Sequence, residues 1–110
     1  MNEKLIKLFR AVGIEEYYSI MRTKKFTCHP EGAEIKYFGL DFEETLAFAN
    51  EIINIELIAV IEACVLYNTL NQIGDFTYVD PFLFKKGTVE VQRIHLDEFN
   101  NAIKYIIHKF

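Results

Sequence analysis

The chain is short of the residues that staple or metallate a fold. It has two cysteines, Cys28 and Cys64, where a secreted disulfide scaffold of this size carries more. Cys64 lies in an apolar run and reads as a small buried hydrophobe. The three histidines and two cysteines lack metal-ligand spacing, so no metal site is expected. Cys28 and His29 are neighbours on an extended segment and point to opposite faces, which argues against a thiol–imidazole pair. Basic charge is also scarce. Twelve Lys and Arg against 16 Asp and Glu leave a net charge of −4, without the basic face of a duplex-binding protein, and nucleic acid is excluded as a partner. The pairs Lys24-Lys25 and Lys85-Lys86 read as solvated loop residues. The most apolar run, 52–67, carries Glu56 and Glu62 and is too short for a bilayer span, so no membrane association is expected. The first residues are charged, and no apolar core with a cleavage site follows, so no leader is expected. Repeats, linkers and low-complexity tracts are absent. These absences point to a soluble, cytoplasmic protein.

Core-forming material is plentiful. With 51% apolar residues, ten Phe and six Tyr in 110 residues, the chain supports one domain over 1–110 with one core, and disorder is excluded. Residues 4–12 fit a helical stripe or a strand apolar on both faces; we favour the strand, because Gly13 ends it and 14–22 forms a separate helix with Ile14, Tyr17 or Tyr18, and Met21 inward. Residues 23–34 read as loop, with Pro30 extending His29. A strand follows over 35–39. Asp41 then caps a helix over 42–53, and Glu44 completes an acidic capping-box pattern. Residues 57–66 fit either part of a helix running 54–73 with Gly74 after it or a strand buried on both faces; β-branched density favours the strand, followed by a short helix or turn at 67–73. Residues 76–79 are loop or strand, Asp80-Pro81 is a break, 82–84 are extended, and Lys85-Lys86-Gly87 is a turn. Thr88 to Gln92 alternate as a strand, with Val89 and Val91 on one face. Asp97 caps a last helix over 98–109, with Phe99, Ala102, Ile103, Ile106 and Phe110 as its stripe. The fold expected is α+β, with a mixed, mostly antiparallel sheet and about three helices.

Three segments give the chain a family likeness: Leu8-Phe9-Arg10-Ala11-Val12 followed by a helix and Lys25-Phe26-Thr27; Lys36-Tyr37-Phe38-Gly39 leading into the acidic helix at 42–49; and Gly87-Thr88-Val89-Glu90 after an apolar strand containing Ile61-Glu62. In this order they resemble the ADP-ribosyltransferase-like fold in its small bacterial, toxin-type form, over roughly residues 8–100. The resemblance implies NAD as substrate. Arg10 would hold the dinucleotide, an arginine fork being suited to pyrophosphate oxygens. Tyr37 and Phe38 would wall the nicotinamide. Glu90 would be the catalytic carboxylate, facing the positive charge that develops on the sugar.

The chain departs from the family pattern at Gly39-Leu40-Asp41, where the family carries a serine-containing motif, and at Thr88, where it positions the acceptor with Gln or Glu. Two functional classes therefore stand side by side: an NAD-binding domain with or without transfer, and a non-enzymatic interaction or immunity-type module that binds a protein partner or a second copy. The residue types alone leave simpler readings open: Arg10 as an edge arginine reaching water, Tyr37 and Phe38 as core, Glu90 as exposed, and Glu62 as one half of a salt bridge to Arg10 or a lysine, or in a register that faces water. Enzymatic use requires Arg10 and Glu90 to line one cleft.

Overall fold

A computed structural model describes residues 4–27, 35–52, 57–77 and 82–110, without the side chains of 51, 52, 57 and 58. The expected segments Cys28-His29-Pro30 and Asp80-Pro81 lie outside the described residues. Strand β1 (Leu5–Gly13) leads directly into α1 (Ile14–Thr23); β2 (Ile35–Gly39) leads into α2 (Phe42–Ile52). Then come β3 (Leu57–Leu66), α3 (Tyr67–Ile73), β4 (Gly74–Thr77), β5 (Thr88–Gln92), a 3-10 turn (Arg93–His95), α4 (Leu96–Asn101) and β6 (Ile103–His108). The six strands form one sheet in the order β4-β5-β2-β1-β3-β6, and every neighbouring pair is antiparallel. The fold class is α+β. Among the described residues the sheet is antiparallel rather than mixed, and the helices number four rather than about three.

Long-range pairing settles the two helix-or-strand segments. Residues of β1 pair with β3 from Leu5↔Leu66 to Gly13↔Leu57, with a bulge at Val12/Gly13. Alternation then sends Leu8 and Val12 to one face with Ala63 and Ala59, and Phe9 to the other with Glu62. On the first face Leu8, Val12, Phe38, Ile61, Val65, Val89, Val91 and Ile106 form the core with Ile20 of α1, Leu70 of α3, and Leu96 and Phe99 of α4. Its centre is an aromatic triangle: Phe26 and Phe38 lie 5.1 Å apart, Phe38 and Phe99 5.1 Å, Phe26 and Phe99 5.8 Å. Asn100 holds the loop residue Phe26 in place, its side chain accepting from Phe26 N and donating to Phe26 O, both at 2.8 Å. The second face carries α2, with Phe42 against Phe9 at 6.0 Å.

Further expectations are corrected. The helix expected over 98–109 ends at Asn101, and 103–108 is strand β6. Its residues satisfy a helical stripe, but the run Ile103-Lys104-Tyr105-Ile106-Ile107 is β-branched and aromatic, and β3 offers an open edge that takes it from Val65↔Ile103 to Ile61↔His108. The switch is set where Leu66 N donates to Ala102 O at 3.0 Å. Asp97 is accordingly inside the first turn of α4, and His95 stands at the N-cap without a side-chain capping bond. The extended segment expected at 82–84 is instead the start of a tight reversal, closed by Gly87 N on Phe84 O at 3.0 Å with Gly87 at φ 96°, a conformation that suits glycine.

Candidate functional site

The sheet is loosest between its two middle strands. Among the described residues β1 pairs with β2 through Phe9↔Gly39, whereas β2 pairs with β5 along its whole length, from Ile35↔Gln92 to Gly39↔Thr88. A cavity of about 240 Å³ opens where β1 and β2 part, beneath α2. Arg10, Tyr37 and Phe38, three residues singled out from the sequence, are among its lining residues; Phe9, Gly39, Thr88, Thr45, Phe48 and Phe84 complete most of the wall.

Gly39 permits the close approach. A Cβ there would overlap the Thr45 hydroxyl and meet the Phe84 ring at 3.0 Å. Asp41 starts α2 at the right place for this, because its carboxylate accepts from Glu44 N at 3.1 Å. The reciprocal half of the capping box is replaced: both Glu44 oxygens face Lys86 N, at 3.2 and 3.3 Å. Lys86 Nζ reaches Asp41 Oδ1 at 2.9 Å. Lys85-Lys86 is therefore only in part a solvated pair, since Lys86 pins the reversal 82–87 onto the start of α2, where Phe84 lies 5.2 Å from Phe48. The Lys86 hydrogen bond is the main cause that holds the Asp41 carboxyl below its ordinary range.

Arg10 and Glu90 do not converge. Phe9 faces Gly39, Tyr37 faces Glu90, and alternation puts Phe9, Gly39, Tyr37 and Glu90 on one face of the sheet; Arg10, next to Phe9, projects from the other. There its guanidinium grips Glu16 of α1 with two bonds, Nε to Oε2 at 2.6 Å and Nη2 to Oε1 at 3.1 Å. The third nitrogen donates to Tyr37 O across the parted strands at 3.1 Å. Lys36 Nζ, from a buried residue, stands 3.7 Å from the same Glu16. Glu90 lies outside the cavity wall; loss of solvent first, and the neighbouring Glu90 charge second, raise the Tyr37 pKa above its ordinary 10.0. Phe38 is core, in the triangle with Phe26 and Phe99.

Glu62 is 3% exposed and finds other partners than Arg10: the Tyr105 hydroxyl at 2.7 Å and Lys109 Nζ at 3.7 Å. Cys64 is buried and unbridged. Among the described residues no group of three or more His, Cys, Asp or Glu is arranged to hold a metal ion, and no helix is long and apolar enough to cross a membrane. Sequence reasoning missed Thr45, Phe84 and Lys86 as parts of this site. Thr45 alone had a local signal, standing four residues after the capping Asp41, whose carbonyl its hydroxyl bonds at 2.9 Å. Comparison of the chain with family models, curated proteins and solved structures finds no match.

Proposed function

We propose that the chain is a binding domain without transferase turnover, whose site is the cleft between β1, β2 and α2 and whose ligand is the nicotinamide end of an NAD-type dinucleotide. The observation that carries this reading is the gathering of Tyr37, Gly39, Phe48 and Phe84 around one cavity, while the side chains of Arg10 and Glu90 leave the sheet on opposite faces. A volume of about 240 Å³ lies below the ~300–1,000 Å³ usual for a whole small-molecule ligand. It suits one ring, with the rest of a dinucleotide outside. Arg10 serves as a strut: its fork is committed to Glu16 and Tyr37 O.

Calorimetric titration with nicotinamide, NAD and ADP-ribose tests the reading. Nicotinamide and NAD are expected to bind with similar affinity, ADP-ribose to bind more weakly, and NAD to stay intact over hours. Absence of heat for all three at millimolar concentration would sink it, and hydrolysis or transfer abolished by Glu90→Gln would restore the enzymatic alternative. Arg10→Lys is expected to leave nicotinamide affinity within about twofold while lowering thermal stability, because a lysine cannot reproduce the two-pronged grip on Glu16.

A second reading, an interaction module, draws on the half-exposed apolar side chains Leu5, Tyr105 and Ile107, which register places on the α2 face at the β1–β3–β6 end. Sedimentation velocity at tens of micromolar separates the two, since a second copy on that surface requires a concentration-dependent dimer.

A further inference from the structure

The reversal at 82–87 is bound to α2 by a small set of identifiable bonds. Phe84 is 6% exposed, seats its ring 5.2 Å from Phe48 and lines the cavity. Polar attachments to α2 come from Lys86: its N–H lies on both Glu44 oxygens and its ammonium on Asp41 Oδ1 at 2.9 Å. The Lys86 side chain is 67% exposed and Asp41 23%, so the ion pair is open to water and weakened by salt. At the downstream end Gly87 sits at φ 96°, where the lack of a Cβ gives the backbone room to turn.

We infer that residues 82–87 are a latched cover over the cleft, that Phe84 is the part which closes it, and that the Lys86–Asp41 pair sets how often it lifts. The inference rests on the cleft being the ligand site only for its consequence, faster ligand entry; the latch itself is testable without ligand. Trypsin supplies the test, because it cuts after Lys85 and Lys86 once the reversal has left α2, at a rate that follows the open population when closing is fast.

Asp41→Asn is the informative variant. Asn caps a helix as well as Asp, so α2 keeps its start while the charge that holds Lys86 is gone. Cleavage at 85–86 is expected to rise by about 1.4-fold to fivefold over the native protein, the range for an exposed ion pair, with cleavage at Lys24 and Lys25 unchanged. Half-molar sodium chloride should raise it in the native protein, relative to the Lys24–Lys25 cuts, and not in the variant. Equal cleavage at 85–86 in the two proteins would overturn the latch, and so would a rise at all lysines together, which reports global unfolding. In parallel, stopped-flow mixing with nicotinamide should show a larger association rate in the variant. If cleavage rises as expected and nicotinamide binds neither protein, the latch stands and the ligand reading falls.

Discussion

A carboxylate at the middle of a sheet face must be satisfied by neighbours, and Glu62 shows which ones. Its Oε2 takes the Tyr105 hydroxyl at 2.7 Å and its Oε1 faces Lys109 at 3.7 Å. The two contacts differ in weight. Tyr105 delivers a short bond to a buried acceptor, whereas Lys109 is 43% exposed and shares its charge with water. Tyr105→Phe is therefore expected to destabilise the protein by about 2 kcal/mol, as loss of a hydrogen bond to a charged group does, and Lys109→Ala by under ~1 kcal/mol. Urea midpoints at constant m-value check both. That Glu62 needed a partner was legible in the sequence, because it stands in an apolar run. Its identity was not, because Tyr105 lies 43 residues away in a segment that a helical stripe also fits.

At the scale of elements, α2 and β2 are locked together at the crossing where Gly39 meets Thr45. Gly39 leaves the space in which the Thr45 hydroxyl sits, and Thr45 is 2% exposed. Gly39→Ala forces overlap there and is expected to cost about 1–3 kcal/mol, the usual range for an overfilled site. Thr45→Ala removes the clashing hydroxyl, so the double variant should be more stable than the sum of the two single changes predicts, by at least ~0.5 kcal/mol in a double-mutant cycle. Additive behaviour would show that the crossing tolerates movement. The helix and strand on either side were readable from Asp41, Glu44 and the alternation of 35–39, which are local signals. The crossing was not, since Gly39 reads equally as a turn. The outer strand β6 carries its own protection: Lys24 Nζ donates to Ile106 O at 3.4 Å. A lysine at that position disfavours addition of another strand.

For the molecule as a whole, the ionisable groups that folding perturbs define a pH window. Asp41 is held below its ordinary 3.8 by Lys86 first. A depressed carboxyl stabilises the fold fully above its unfolded value and loses that contribution as pH falls through the folded one. Tyr105 is raised above 10.0, first by its bond to Glu62, and Tyr37 by loss of solvent and then by Glu90. Lys86 is raised above 10.5 by Asp41. Raised groups stabilise fully below their unfolded values and lose that contribution as pH climbs. The urea midpoint should accordingly fall below pH 3.8 and above pH 10.0. Tyr105→Phe should flatten the alkaline limb, and Asp41→Asn should reduce both limbs, since it removes the acid-side group and the cause of the Lys86 shift. A native alkaline limb unchanged in Tyr105→Phe would disprove the assignment.

Local chemistry determined much of this protein. The Asp41 cap, the glycine at 87, the alternation of 88–92 and the apolar density of 57–66 act within a few residues, so they can be read along the chain. Tertiary structure decided the rest, because the deciding partners are distant. The open edge of β3 turned 103–108 from helix to strand, Lys86 crossed to Asp41 over 45 residues, and strand alternation sent Arg10 to Glu16 and Glu90 to the opposite face. A period of two fixes which residues oppose one another, but the pairing register that assigns each set to a face exists only once the strands have met.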